Sequence, residues 1–196
     1  MKICVYGAAS DKIAQKYIDS VYNLCKNLAK RGHSLVFGAG SEGVMGAAAR
    51  GFKDGGGYVH GVIPKFFEEN NYEAIFYEAD KLTYTEDMAQ RKATMENDCD
   101  AFIIAPGGIG TFEEFFQVLT LKQLGRHKKA IVLYNAFNYY DDMQRLLNDS
   151  IKQGFINKEC NKIYTILKDD QEVIDYLEHY STKGVDWSIL KKNLKQ

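Results

Sequence analysis

The sequence predicts an α/β fold: a three-layer, doubly wound parallel sheet with helices on both faces. Three observations predict it. Strand-like and helix-like segments alternate along the chain, as successive β–α–β units do. The central strand-like segment, Ala101-Phe102-Ile103-Ile104-Ala105, is a continuous apolar run, as in a strand buried on both faces. Turns of small residues at 7–10, 38–46 and 106–111 close three of the strands, at the ends where open α/β sheets bind ligands.

Ile3-Cys4-Val5-Tyr6 is the first strand and ends at Gly7-Ala8-Ala9-Ser10. A helix follows over 11–31. Ile13, Tyr17, Val21, Leu24 and Leu28 recur there at helical spacing, and Gly32 supplies the stop. Ser34-Leu35-Val36-Phe37 is the second strand. It runs into Gly38-Ala39-Gly40-Ser41-Glu42-Gly43, a G-x-G-x-x-G pattern ahead of a helix. A dinucleotide site would need an acid near the end of the next strand to take the ribose. That strand, 58–63, ends in Pro64-Lys65. A phosphate-binding turn without a dinucleotide is the better reading.

Residues 65–79 read as irregular, with a short helix and a short strand among Phe66, Phe67, Tyr72, Phe76 and Tyr77. Those aromatics suit core packing, a base pocket or an interface. Thr85 is expected to open the next helix, where Met88, Arg91, Lys92 and Met95 share one face. Either the two cations snorkel to solvent or they turn into a cleft. In the second case Arg91→Ala should harm turnover more than stability. The strand 101–105 then enters Pro106-Gly107-Gly108-Ile109-Gly110-Thr111-Phe112-Glu113-Glu114, and a helix with a Phe112, Phe115, Phe116, Leu119 stripe runs on to Gly125. A strand at 129–134, a helix at 139–153, a strand at 162–166 and a helix at 169–180 complete a single domain over 1–180. Residues 181–196 read as a tail carrying Trp187, Ile189, Leu190 and Leu194.

With 196 residues, 45% of them hydrophobic, the chain can bury a substantial core. A net charge of −1, with no long run of one sign, gives no basic face for nucleic acid. Cys4, Cys25, Cys99 and Cys160 are scattered without a C-x-x-C pair, which suits buried free thiols in a reducing compartment. Met1-Lys2 leads straight into a strand without an apolar leader, and no run approaches a membrane span. The expectation is a cytoplasmic protein. His33, His60, His127 and His179 lack metal-ligand spacing, and no G-K-[ST] follows a glycine turn.

The turn at 106–114 concentrates the chemistry. Glycines at 107, 108 and 110 let backbone N–H groups approach a ligand, and a helix start adds positive potential suited to phosphate. Thr111 and Glu114 stand at N-cap and N3 spacing, so a capping box is the plain alternative to a functional carboxylate. A carboxylate beside a phosphate site suits glycosidic cleavage of a sugar phosphate, where it stabilises an oxocarbenium-like state and orients water.

With Met88-Ala89-Gln90-Arg91-Lys92 matching M-x-x-R-K and Pro106 to Glu114 matching P-G-G-x-G-T-x-x-E, the chain resembles the LOG ("Lonely guy") family of cytokinin riboside 5′-monophosphate phosphoribohydrolases. The resemblance runs over about residues 2–168, through Asp100-Ala101-Phe102-Ile103, Gln123-Leu124-Gly125 and Gly154-Phe155-Ile156. It implies a Rossmann-like fold and hydrolysis of the N-glycosidic bond of AMP-type nucleotides. It implies Arg91 and Glu114 as the catalytic pair, and Gly107, Gly108, Gly110 and Thr111 at the phosphate. Lys92, Met88, Ser10, Gly38, Gly40 and Gly43 would line the rest of the phosphate and ribose site. It further implies a homodimer, a small-molecule nucleotide as partner, and no metal or organic cofactor, while charge and hydropathy point to no nucleic acid and no membrane. The alternative is a non-catalytic nucleotide-binding or molybdenum-cofactor-carrier-like module on the same fold. The older label "lysine decarboxylase-like" finds no marked Schiff-base lysine. The chain departs from the family at Tyr6-Gly7-Ala8-Ala9-Ser10, where a Cys-Gly-Ser-Ser turn is usual, at Ala39 in place of a glycine, and at Ile109 in place of an aromatic residue.

Overall fold

A computed structural model of the chain describes residues 1–70, 72–183, 185 and 190. Among them, β1 (Lys2–Tyr6), β2 (Ser34–Phe37), β3 (Val59–Pro64), β4 (Lys81–Thr85), β5 (Ala101–Ile104), β6 (Ala130–Tyr134) and β7 (Thr165–Leu167) form one sheet. Its order is β4-β3-β2-β1-β5-β6-β7, and each neighbouring pair is parallel. The chain therefore builds outward from β1 to β4, then returns to the other side of β1 as β5. The carboxyl ends of β1 and β5 flank the point where the winding reverses, the usual place for a ligand in this architecture.

The helices are α1 (Gln15–Lys30), α2 (Gly43–Asp54), α3 (Lys65–Glu69), α4 (Met88–Asn97), α5 (Ile109–Gln123), α6 (Asp141–Lys152) and α7 (Asp170–Glu178). Side chains alternate across the sheet, as the two-residue period of a strand requires. Ile3, Val5, Ala101, Ile103, Val132 and Tyr134 join one core with α1, α2 and α7. Cys4, Tyr6, Phe102, Ile104, Ile131 and Leu133 join the other with α4, α5 and α6. Buried on both faces, β1, β5 and β6 read as apolar runs, and that made them legible.

Several elements differ from the sequence expectation; the first helix, expected over 11–31, begins only at Gln15. Thr85 closes β4 instead of opening a helix, and Asp87 caps α4 by accepting from the Gln90 N–H at 2.7 Å. β4 is an edge strand, with Lys81 and Tyr84 exposed, so it lacks the apolar signature of its neighbours. The last strand is Thr165–Leu167, because Lys158–Lys162 winds into a 3₁₀ turn capped by Asn157. Of the expected tail, Trp187, Ile189 and Leu194 lie outside the described residues, whereas Leu190 is fully buried in the second core.

Candidate active site

The N-terminus of α5 forms the floor of a cleft of about 330 Å³. The helix starts at Ile109 with Gly108 as N-cap, and no side chain caps it. The capping-box reading therefore fails: Thr111 lies inside the first turn and Glu114 in the next. The first intrahelical bond runs from the Phe112 N–H to the Gly108 carbonyl, so the N–H groups of Gly108, Ile109, Gly110 and Thr111 have no acceptor in the helix. Gly108 and Gly110 face open space: a Cβ on either would meet nothing within 4 Å. Gly107 is different, since a Cβ there would stand 2.1 Å from Thr111 Oγ1. Here the absence of a Cβ lets the turn pack closely on the buried Thr111.

Arg91 comes to the same cleft from α4. It is 5% exposed. Its Nε donates to the Val62 carbonyl at 3.1 Å and its Nη2 to the Gly38 carbonyl at 2.6 Å. The guanidinium also lies over the Phe67 ring, 5.3 Å from the centroid. Two buried carbonyls thus fix its plane, and a large part of its donor capacity is structural. Arg91 is therefore expected to contribute to stability as well as to turnover. Lys92, its neighbour, turns aside and pairs with Glu113 at 2.5 Å.

The turn after β2 explains where the remaining acid comes from. Ala39 adopts φ 66°, the left-handed region that favours glycine. The strained turn is held by bonds from Phe76 N–H to the Ala39 carbonyl and from Ser41 N–H to the Ala74 carbonyl, both 2.8 Å. This pairing brings Glu73 over Gly40, where a Cβ would stand 2.2 Å from Glu73 Oε1. Gly38 leaves similar room for Arg91 Nη2, which would be 2.0 Å from a Cβ. Gly43, at φ 57°, packs against the Ser10 and Ala8 carbonyls. Gly38 and Gly40 thus make space for the Arg91 and Glu73 side chains and Gly43 for the backbone of the 8–10 turn, and none of the three is among the residues that line the cleft.

The cleft lining includes Ser10, Met45, Met88, Arg91, Gly108, Gly110, Thr111 and Glu114 together with Glu73. Glu73 went unnoticed in the sequence because it sits in the irregular 65–79 segment, with no motif around it. Its signal is structural: Oε1 is buried with no hydrogen-bond partner. Burial raises the Glu73 carboxyl, and the Arg91 charge opposes that rise. Glu114 is pushed up to about 8, first by desolvation. Arg91 and Lys92 pull it down, whereas Glu113 and Glu73 add like charge. Such a carboxyl titrates near neutrality, where a proton-transfer group is most effective. The histidines do not line the cleft, and no three metal-ligating side chains cluster among the described residues.

Fold and cleft together define a Rossmann-like α/β protein in which an uncapped helix N-terminus shares a cleft with a buried arginine and a glutamate raised by burial. Solved structures agree on the fold: the molybdenum cofactor carrier protein of Chlamydomonas reinhardtii superposes with a TM-score of 0.69 at 22% identity, covering 90% of this chain and 95% of that one. The molybdenum cofactor binding protein of Rippkaea orientalis gives 0.66 at 19% identity, covering 90% and 93%. Residues 45–177 match the family described as "Possible lysine decarboxylase". The curated relative "Probable cytokinin riboside 5'-monophosphate phosphoribohydrolase LOGL3" of Oryza sativa subsp. japonica is 38% identical over 192 residues, 95% of this chain and 90% of its own. "Cytokinin riboside 5'-monophosphate phosphoribohydrolase LOG2" of Arabidopsis thaliana is 35% identical over 188 residues, 95% of this chain and 86% of its own. The chain belongs to this LOG family.

Proposed function

We infer that the protein hydrolyses the N-glycosidic bond of AMP-type nucleoside 5′-monophosphates, releasing the free base and ribose 5-phosphate. The observation that carries this reading is the convergence of Arg91 and Glu114 on one cleft whose floor is the uncapped start of α5. The phosphate takes the N–H groups of Gly108, Ile109, Gly110 and Thr111 and the positive end of the helix. Glu114, when ionised, accepts a proton from water as water adds to the anomeric carbon and the bond to the base nitrogen breaks. Its charge also favours the oxocarbenium-like state. Arg91 offers the cleft the donor capacity left over from Val62 and Gly38 and stabilises charge on the departing base.

Glu73, a cleft-lining carboxyl whose Oε1 has no protein partner, suits a sugar hydroxyl. Glu73→Ala is expected to raise KM by about tenfold. The melting temperature should hold, since Oε1 has no protein partner to lose. Steady-state kinetics and a thermal melt test this together; a large loss of melting temperature at unchanged KM contradicts it.

The reading is tested by incubating the protein with AMP and with N6-isopentenyl-AMP and assaying ribose 5-phosphate. No release from either substrate by folded protein sinks it. kcat/KM should rise with pH along a single ionisation near pH 8, because Glu114 must lose its proton to act as a base. A profile flat between pH 6 and 9, or falling across it, removes Glu114 from that role.

A lysine decarboxylase reading has no support in the cleft, whose lining residues include no lysine to carry a cofactor as a Schiff base. A raised glutamate beside Arg91 also favours catalysis over carriage of an intact ligand. The protein acts as a homodimer on a small nucleotide, without nucleic acid, in a reducing cytoplasm, which suits its four free, buried cysteines. None of the described helices is long and apolar enough to cross a membrane.

A further inference from the structure

The strand-to-helix connection between β5 and α5 is held by hydrogen bonds to its carbonyls. The Ala105 carbonyl accepts from Tyr140 Oη at 2.7 Å, that of Pro106 from the Ala8 N–H at 3.3 Å, and that of Gly107 from Tyr139 Oη at 2.6 Å. Two of these three donors are adjacent tyrosines beyond the end of β6. They are aimed by an unusual turn. Phe137 (φ 54°, ψ 30°) and Asn138 (φ 63°) are both left-handed, a conformation that asparagine tolerates but that is unfavourable for Phe137. The surroundings impose it. Phe137 packs edge-on against Tyr17 at 5.4 Å under Lys16 Nζ, and Lys168 Nζ donates to Asn138 Oδ1. Strain held in this way at a site edge marks a conformation with a function.

We propose that Tyr139 is a positioning residue for phosphate binding, its hydroxyl holding the Gly107 carbonyl away from the cleft so that the Gly108 N–H is turned into it. The argument rests on the planarity of the trans peptide, in which C=O and N–H point in opposite directions. Tyr139, with Ile13, Ala14, Tyr17 and Gly107, lines an apolar hollow whose lining includes neither Arg91 nor Glu114, whereas the cleft lining includes neither Tyr139 nor Gly107. Gly108 borders both spaces. Fixing the carbonyl on the Tyr139 side therefore presents the donor on the cleft side. Glycine on both sides of this peptide removes the Cβ barriers to its turning over, and the Tyr139 hydroxyl is the group that bonds its carbonyl directly. Tyr140 is the internal control. The Ala105 peptide it holds continues into Pro106, which has no N–H, so Tyr140 orients no donor.

The proposal rests on the reading of the α5 N-terminus as a phosphate site, and the test separates the two. Affinity for ribose 5-phosphate by calorimetry, steady-state kinetics on AMP and thermal melts are compared for wild type, Tyr139→Phe and Tyr140→Phe. Tyr139 is 39% exposed and phenylalanine keeps its ring contacts, so Tyr139→Phe folds. It is expected to raise KM for AMP and Kd for ribose 5-phosphate by about tenfold, equivalent to ~1.4 kcal/mol. Its kcat should stay within about twofold, as for loss of binding uniform to ground and transition states. Tyr140→Phe is expected to lower the melting temperature with affinity unchanged. A wild type that binds ribose 5-phosphate while Tyr139→Phe binds it equally overturns the positioning role alone. Equal losses of affinity and melting temperature in both variants also overturn it, because that pattern belongs to plain packing. A wild type that binds neither ribose 5-phosphate nor AMP overturns the phosphate reading and this role with it.

Discussion

Glu114→Gln is expected to lower kcat by about 10²–10⁴-fold, the usual worth of a positioned general base, and to leave the protein more stable than wild type above neutral pH. The first effect follows from chemistry, since the amide cannot accept the water proton. The second follows from burial. Native Glu114 keeps its proton up to about pH 8, whereas its ordinary value is 4.5. Between those values the native state binds more protons than the unfolded chain, so stability falls as pH rises through that window. A glutamine does not titrate and escapes that loss. The variant should therefore gain on wild type between about pH 5 and 8, reaching on the order of a few kcal/mol. Because α5 is capped by Gly108 without any side chain, the substitution removes no helix cap. Melting curves at pH 5 and pH 8 read the crossing, and ribose 5-phosphate release reads the activity. Near-normal turnover would return Glu114 to a structural part. A variant less stable than wild type at pH 8 would show that the carboxyl makes favourable contacts that outweigh its desolvation.

The same contrast explains what the sequence disclosed. The sheet was legible because β1, β5 and β6 are buried on both faces and cannot avoid apolar runs. β4 was not, because an edge strand with exposed Lys81 and Tyr84 needs no such run. Arg91 and Glu114 were found through the fixed spacing of their motifs, and the structure brings both to one cleft. Glu73 was invisible because its position depends on the pairing of Gly40 with Ile75, a contact between two irregular segments. The glycines at 38, 40 and 43 were assigned to the ligand by the family resemblance and by a G-x-G-x-x-G turn at the end of a strand. Their surroundings give another reason for glycine: arginine, glutamate or backbone atoms already occupy the space a Cβ would need. Tyr139 likewise carried no sequence signal, since its relation to Gly107 exists only after β5 and β6 pair in register.

Arg91→Ala should lose on both counts. In the cleft it removes the cation that faces Glu114, and kcat/KM for an AMP-type substrate should fall by about 10²–10³-fold, as when a buried charged donor to a transition state is deleted. In the wall it strips the carbonyls of Val62 and Gly38 of their donor. Leaving buried acceptors unpaired costs about 1–3 kcal/mol each, less where water enters the vacated space. A loss of about 2–4 kcal/mol lowers the melting temperature of a domain of this size by roughly 5–15 °C. The pH profile gives an independent reading. Arg91 holds the Glu114 carboxyl down against its desolvation, so residual activity in Arg91→Ala should require a higher pH than in wild type. Arg91→Lys restores the charge but not the planar fork that serves two carbonyls at once. It should recover the pH profile while leaving part of the stability loss. If Arg91→Ala instead melts like wild type, the two carbonyl bonds contribute nothing and the arginine belongs to the cleft alone. If its pH profile is unshifted while turnover falls, Arg91 acts on the substrate without reaching Glu114.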